Sequence, residues 1–302
     1  MQTVGVIGLG KIGTPIAHNL LKSGFKVVGF RRSPTPELEQ AGMTRATSAE
    51  EVGRSADVVL SCLGAVPALE ETVAGLLKTA RPGQVVVELG SYKVHEKAKH
   101  IAPLAAKGVA FLDGEVSGTP PMVAARKAAV YLAGDEAAAK AIDPVIKGFA
   151  DNSFYFGAFG AATKVKLINN LLVAIHIAST AEAMSLAMKA GIDVPTMIKA
   201  ITGGSGGSSA FGARAEAMAA RRFEPPMGTS AALEHYIIEA KEMATELGRA
   251  TPMLDRAAEL YANAREKGLE NKDVAVMVEV LESLQPGSST GAKKGWSLFG
   301  RS

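Results

Sequence analysis

The stretch TVGVIGLGKIG, residues 3–13, decides the fold of this chain. It begins as a run rich in β-branched residues, which favours a strand. Three glycines follow at the spacing G-x-G-x-x-G, and then come an amphipathic segment and a second strand-like run that ends at Phe30. In this context Gly8 permits a tight turn, Gly10 lets a pyrophosphate approach the backbone, and Gly13 lets a helix pack closely on the strand.

The stretch therefore predicts a dinucleotide-binding turn, with a glycine-rich turn that binds no ligand as the alternative. The predicted contacts are Gly8, Leu9, Gly10, Lys11, Ile12 and Gly13.

Arg31, Arg32 and Ser33 follow the second predicted strand, where an acidic residue would bind the ribose hydroxyls of NAD. Guanidinium groups match the oxygens of a phosphate in bidentate fashion. These residues predict that the 2′-phosphate of NADP is recognised here. An exposed basic turn is the alternative.

Working outward, short β-branched runs alternate with helical patterns as far as residue 157, which predicts a parallel sheet wrapped by helices. Residues 162–190 then form a run rich in Ala, Leu and Met, which predicts one helix about 45 Å long. We expect a Rossmann-type doubly wound α/β domain at residues 1–161, joined through this helix to an all-α domain at 162–285. The tail, 286–302, is rich in Gly and Ser, and we expect it to be flexible.

Composition narrows the function classes. The 302 residues are 47% hydrophobic, the net charge is +3, and the basic residues form no cluster with aromatic residues, so we expect no nucleic-acid partner. Cys62 is the single cysteine, which favours a reducing, cytoplasmic setting. No run of about 18 uninterrupted apolar residues occurs, so we expect no membrane span. We also expect no metal site.

Lys166 and Asn170 lie four residues apart near the start of the predicted long helix and so share a face, with Asn169 close to it. Lys164 points elsewhere around the helix. Helix interiors do not favour paired asparagines, so a lysine and amides at a domain junction make sense if they meet a substrate. A polar stripe that only touches water is the alternative.

These motifs resemble those of the β-hydroxyacid dehydrogenase family, which includes 3-hydroxyisobutyrate dehydrogenases and tartronate semialdehyde reductases. Residues 8–20 are similar to its N-terminal fingerprint, and 113–119 (DGEVSGT) to its substrate segment Asp-Ala-Pro-Val-Ser-Gly-Gly. Residues 160–170 match its catalytic segment, a glycine followed by Lys-x-x-Asn-Asn. The predicted helical domain resembles the C-terminal domain of 6-phosphogluconate dehydrogenase.

The resemblance implies a nicotinamide enzyme that transfers a hydride to or from a small β-hydroxy acid or its semialdehyde. Lys166 would be the general acid and base, and Asn170 would hold the lysine and the substrate. The remaining implied substrate contacts are Ser117, Gly118, Thr119 and Asn169. Leu63 and Ser91, in loops that follow strands, complete the predicted cofactor contacts.

The chain also departs from the family. Thr119, Pro121 and Arg126 stand where family members usually carry glycine, and the pair His235-Tyr236 aligns with a family Lys-Asp pair. We interpret His235 as a further candidate for substrate binding, although a structural histidine is the more ordinary role.

Two other functions fit the same architecture. An imine reductase usually carries another residue at the position of Lys166, so the lysine argues against it. A catalytically silent NADP-binding protein, used for assembly or regulation, is favoured by the changes at Thr119 and His235 but not by the retained lysine. The long apolar helix further predicts a homodimer or a higher homo-oligomer.

Overall fold

The structure is a computed structural model, and it describes residues 2–285. The tail at 286–302 lies outside the described residues, so the expected flexibility of that segment stays a prediction. The tertiary contacts divide the chain into two compact units, and the division falls between Asn170 and Leu171.

The first unit is built on an eight-stranded sheet with the order β3-β2-β1-β4-β5-β6-β7-β8. The strands are β1 (Thr3–Ile7), β2 (Lys26–Phe30), β3 (Thr44–Ala46), β4 (Val58–Ser61), β5 (Val85–Glu88), β6 (Ala110–Ser117), β7 (Ala129–Ala133) and β8 (Asn152–Tyr155). The chain reverses its direction of winding beside β1, which is where doubly wound sheets bind their ligands. The predicted Rossmann-type fold is confirmed.

The sheet is parallel, as expected, except at one pair of neighbours, β6 and β7, which are antiparallel. Only residues 118–128 connect these strands, and a parallel crossover needs a dozen or more residues. Two strands also differ from the prediction. The three-residue β3 has no sequence signal of comparable strength, and β6 continues to Ser117, so that it includes most of the segment 113–119.

Apolar residues alternate between the two faces of the sheet, and helices cover both. Leu60 and Val87 point into one core, while Val59 and Val86 point into the other. The helices of this unit are α1 (Gly13–Lys22), α2 (Pro36–Gln40), α3 (Ala49–Ser55), α4 (Val66–Leu77), α5 (Val94–Ala98), α6 (Ile101–Ala105), α7 (Pro120–Ala124), α8 (Glu136–Ala141) and α9 (Asp143–Phe149).

The long helix α10 (Ala161–Lys189) begins in the first unit and continues into the second, which is helical as predicted. The further helices are α11 (Val194–Thr202), α12 (Ser209–Ala219), α13 (Ser230–Glu246), α14 (Pro252–Glu266), a 3-10 turn (Val274–Val276) and α15 (Met277–Glu282). By length and composition alone, α10 would suffice to cross a membrane. This is weak evidence, because core helices of soluble proteins pass the same test.

Candidate active site

The predicted dinucleotide turn has the conformation that its glycines allow. Gly8 has a φ of 90°, which disfavours other residues. A Cβ atom on Gly13 would lie 2.1 Å from the carbonyl oxygen of Gly8, so only glycine permits this approach of helix to strand. A Cβ on Gly10 would meet no atom within 4 Å, which leaves open space above the turn. Helix α1 starts here without a side-chain cap, so its positive end is available to an anion.

A cavity of about 810 Å³ opens beside this turn at the carboxyl ends of the strands. The predicted cofactor residues that line it are Gly8, Leu9, Gly10, Arg31, Arg32, Ser33 and Leu63. Among the described residues, neither arginine forms an ion pair, so both guanidinium groups are available to an anionic ligand. The open turn and the free guanidinium groups fit a dinucleotide phosphate.

The remaining predicted cofactor residues, Lys11, Ile12, Gly13 and Ser91, do not line this cavity. Sequence reasoning in turn missed several polar residues that do, namely Thr47, Ser48, Glu50, Thr72 and Lys78. Thr47 and Ser48 follow β3 at the same edge of the sheet, so the unrecognised short strand explains why both were missed.

The predicted catalytic face lies where α10 packs against β6. Asp113 accepts hydrogen bonds from the Thr163 backbone N–H at 3.0 Å and from the Thr163 hydroxyl at 2.7 Å, which anchors the first turn of the helix on the strand. Gly160 precedes that turn with a φ of 90°. One helical turn further along, the Lys166 amine donates to the Val116 carbonyl oxygen at 2.7 Å.

Lys166 and Asn170 are both buried, at 8% and 7% exposure, while Lys164 is exposed, as their helical spacing predicts. The Asn169 amide donates to the Asn170 side-chain oxygen at 3.2 Å. Burial lowers the pKa of Lys166, and the charge of Glu115 opposes that shift. An amine with a lowered pKa exchanges its proton more readily near neutral pH.

Ser117, Gly118 and Thr119, the residues predicted to bind the substrate carboxylate, begin one residue after Val116, whose carbonyl group accepts from Lys166. Ser117 ends β6, and Thr119 immediately precedes α7. A Cβ on Gly118 would lie 2.8 Å from the Cβ of Ala128, so a side chain there would displace the neighbouring strand. Ser117 and Gly118 directly follow Val116, whose backbone carbonyl oxygen accepts the hydrogen bond of the Lys166 amine.

Sequence reasoning assigned no role to Lys97, Asp113 or Glu115, although the last two lie in the quoted substrate segment. The Lys97 side chain is fully buried, and its amine contacts Asp113 Oδ1 at 2.9 Å and Glu115 Oε1 at 3.1 Å. The other oxygen of Glu115 accepts from the Ser91 hydroxyl at 2.6 Å. Ser91, predicted as a cofactor contact, is thus engaged by this buried cluster.

Burial raises the pKa of Glu115, and the neighbouring Lys97 and then Lys166 oppose the shift. Burial alone would lower the pKa of Lys97, but Glu115 and Asp113 together outweigh it and raise the pKa. The cluster therefore holds a lysine that stays charged and a carboxylate whose charge depends on that lysine.

Three other residues singled out in the sequence have simpler surroundings. His235 lies on α13 of the second unit with its side chain 59% exposed, and its Nε2 is 3.4 Å from Glu239 on the same helix. Arg126, at a family glycine position, has a φ of 63°, and it pairs with Asp151 at 3.0 Å. Burial raises the pKa of the Cys62 thiol, which disfavours a thiolate nucleophile.

Comparison with known proteins agrees with this architecture. Residues 3–157 match a family model described as the NAD binding domain of 6-phosphogluconate dehydrogenase. Residues 160–281 match a model described as NAD-binding of NADP-dependent 3-hydroxyisobutyrate dehydrogenase. The chain belongs to the β-hydroxyacid dehydrogenase family.

Individual relatives extend over nearly the whole chain. The NAD-dependent L-serine dehydrogenase of Pseudomonas aeruginosa is 30% identical, over 94% of this chain and 99% of its own. The 2-(hydroxymethyl)glutarate dehydrogenase of Eubacterium barkeri is 28% identical, over 96% of this chain and 98% of its own. The structure of 3-hydroxyisobutyrate dehydrogenase from Salmonella typhimurium has a TM-score of 0.84 at 26% identity and covers 93% of this chain and 100% of that one. The first unit is thus the nicotinamide-dinucleotide-binding domain of an oxidoreductase.

Proposed function

We propose that this chain is an NADP-dependent oxidoreductase that transfers a hydride between the nicotinamide and a small β-hydroxy acid or its semialdehyde or keto form. The observation that carries this proposal is the buried amine of Lys166, held 2.7 Å from the Val116 carbonyl oxygen and directly beside the segment of Ser117 and Gly118. The relatives named above are dehydrogenases of small acids that carry a hydroxyl group. Their names support the substrate class.

Arg31, Arg32 and Ser33 would hold the 2′-phosphate of the cofactor, and the turn at residues 8–13 would hold its pyrophosphate. When bound, the cofactor would supply the hydride acceptor or donor. The description of the second family model names an NADP-dependent enzyme, which supports a preference for NADP. One of the relatives, the L-serine dehydrogenase, is instead NAD-dependent.

Lys166 would move the proton that accompanies the hydride. In oxidation its neutral amine would accept the hydroxyl proton of the substrate, and in reduction its ammonium would donate a proton to the carbonyl oxygen. Asn170 and Asn169, on the same part of α10, would orient the substrate. Ser117, Gly118 and Thr119 would bind its carboxylate, and His235 remains a further proposed contact.

A panel of small hydroxy acids and semialdehydes, assayed with NADPH, NADP, NADH and NAD, tests the proposal directly. We expect turnover of at least one carboxylate substrate and faster turnover with the phosphorylated cofactor. Absence of turnover across the panel, with dinucleotide binding intact, would instead favour the silent binding protein.

An imine reductase of the same fold is the second candidate. Reduction of cyclic imines in place of hydroxy-acid oxidation would support it. Lys166 argues against this candidate, because imine reductases usually carry another residue at that position.

We also propose a cytoplasmic homodimer or higher homo-oligomer formed through the helical unit. That unit exposes large apolar side chains, with Leu186 on α10 71% exposed and Leu247 after α13 62% exposed. Light scattering at micromolar concentration should give at least twice the monomer mass, and Leu186→Glu should lower it.

A further inference from the structure

None of the three side chains of the buried cluster, Lys97, Asp113 and Glu115, lines the dinucleotide cavity. All three side chains are at most 1% exposed. Burying ionised groups is unfavourable unless their charges are compensated. Each ionised group in this cluster therefore needs a neighbouring group of opposite charge.

One ammonium group faces two carboxylates. Asp113 is fully engaged, because Oδ1 accepts from Lys97 and from the Thr163 hydroxyl and Oδ2 accepts from the Thr163 backbone. Glu115 accepts from Lys97 and Ser91. When both carboxylates are ionised the cluster carries one negative charge in excess, and the charges of Glu115 and Lys166 then stabilise each other.

The residue at position 115 departs from the family segment Asp-Ala-Pro-Val-Ser-Gly-Gly, which has proline there. Proline carries no charge, so the excess carboxylate is a property of this chain. Glu115 and Val116 are neighbours on β6, and the Val116 carbonyl group accepts the Lys166 amine. The substitution therefore places a charge one residue from the group that positions the proposed general acid and base.

We propose that Glu115, held by Lys97 and Ser91, is a positioning residue that sets the pH range in which Lys166 is protonated. The inference rests on the proposed role of Lys166. The charges of Lys97 and Lys166 oppose the rise that burial causes in the pKa of Glu115, and an ionised Glu115 carboxylate keeps Lys166 charged to a higher pH than burial alone would allow. The chain would consequently favour the protonated, proton-donating form of the lysine, which is the form that reduction of a carbonyl substrate requires.

Glu115 is the charged group that acts on Lys166, and the titratable groups that act on Glu115 and on its partner Lys97 come from three elements. Glu88 ends β5, Lys97 lies on α5, and Asp113 and Glu115 lie on β6. Burial raises the pKa of Glu88 to about 7, so its own charge changes in the same pH range. Glu88 is therefore left unsubstituted in all of the Glu115 variants.

The pKa of Lys166 can be measured without turnover, by trace labelling with acetic anhydride across a pH series and quantification of the Lys166 peptide by mass spectrometry. Glu115→Gln and Glu115→Met remove the charge, while Glu115→Asp retains it. Glu96→Gln, on the same helix as Lys97 but in an exposed pair with Lys99 at 2.6 Å, is the matched control. Glu115→Met replaces the carboxylate with an apolar group of similar size, so a folded neutral variant is expected even if the amide is not tolerated.

We expect the neutral variants to lower the labelling pKa of Lys166 by about one unit, because an opposite charge nearby is lost. Glu115→Asp and Glu96→Gln should leave it close to the wild-type value. The limb of the turnover profile that reports Lys166 should move to lower pH by the same amount. A labelling pKa that is unchanged in a folded neutral variant overturns the inference, even if turnover falls.

The proposed function and the positioning role of Glu115 can fail separately. If no substrate is turned over but the labelling pKa falls, the proposed function is wrong and the positioning role of Glu115 stands. If turnover depends on Lys166 but its labelling pKa ignores Glu115, the proposed function stands and Glu115 is structural.

Discussion

Two buried cations stabilise different regions of this chain, and their surroundings differ in charge. In the second unit, Arg214 on α12 lies 2.9 Å from Asp273, whose oxygens also accept from the backbone N–H groups of Met227 and Ala275 at 2.9 and 3.0 Å. In the first unit, Lys97 meets two carboxylates. The Arg214 pair is balanced within itself, whereas the Lys97 cluster is balanced only when Lys166 is counted. The buried Arg214–Asp273 pair is thus structural, whereas the buried charge of Glu115, by our proposal, sets the protonation of Lys166.

Removing the cation that completes the first cluster tests this comparison most strongly. We expect Lys166→Met to lower turnover by about a hundredfold to ten-thousandfold, since a positioned proton donor contributes that much. Methionine keeps the alkyl chain and Lys97 still contacts Glu115, so the variant should fold and bind the dinucleotide, with a melting temperature below that of the wild type. Single-turnover rates, a cofactor titration and a melting curve provide the measurements.

The matched control is Lys164→Met, an exposed lysine two residues earlier on the same helix. It should change turnover little. Retention of more than about a tenth of wild-type turnover by Lys166→Met would exclude a general acid and base role for this lysine.

Breaking the Arg214–Asp273 pair of the second unit should lower the stability of the protein. We expect Arg214→Met to lower the free energy of unfolding by about 3–5 kcal/mol, because Asp273 would be left buried without its cation. Lys241→Met, which breaks the exposed pair with Asp255, should cost less than about 1 kcal/mol. Urea unfolding monitored by circular dichroism measures both. Equal losses would mean that burial does not distinguish these pairs.

Glu88 is a third buried charge to compare, because its carboxyl group is fully buried and forms no ion pair with any described residue. Burial raises its pKa from 4.5 to about 7, so between these values the folded protein holds a proton that the unfolded chain has released. Stability from this group is therefore full below pH 4.5 and falls as the pH rises to about 7, by about 3 kcal/mol in total.

Glu88→Gln should abolish that decline, which makes the variant relatively more stable at pH 8 than at pH 5. Unfolding free energies of the variant and the wild type at the two pH values provide the test. Glu136→Gln, in an exposed pair with Lys140 at 2.7 Å, should behave like the wild type. A decline that persists in Glu88→Gln would assign it to other groups.

Much of this architecture could be predicted, because periodicity and glycine spacing are local signals. The start of α1 at Gly13 and the long helix α10 agree with the sequence pattern to within a residue or two. Strand β3 was missed because three residues carry too little pattern. The antiparallel pairing of β7 was missed because strand direction depends on the connection and not on the residues of the strand.

The candidate site divides in the same way. The shared face of Lys166 and Asn170 follows from helical spacing, and both are buried as a pair. The cluster around Lys97 joins α5 to β6, which only the tertiary fold brings together. Charged residues are mostly exposed, so a lysine buried at 0% exposure has no local signature.

The smallest expected effect concerns the dinucleotide cavity, where the cations are exposed and form no ion pair with any residue that the structure describes. Arg31 and Arg32 line the dinucleotide cavity on the surface, so water competes for them and a contact to the 2′-phosphate is worth about 1.5–3 kcal/mol. We expect NADPH to bind at least about tenfold more tightly than NADH. Replacing both arginines by alanine should weaken NADPH binding by about that factor and leave the affinity for NADH nearly unchanged, because NADH lacks the phosphate.

Arg45→Ala, which changes an exposed arginine on the neighbouring strand β3, should affect neither affinity. Fluorescence titrations give all of these dissociation constants. Equal affinities for the two cofactors in the wild type would contradict the assignment of NADP, while leaving the role of Lys166 untouched.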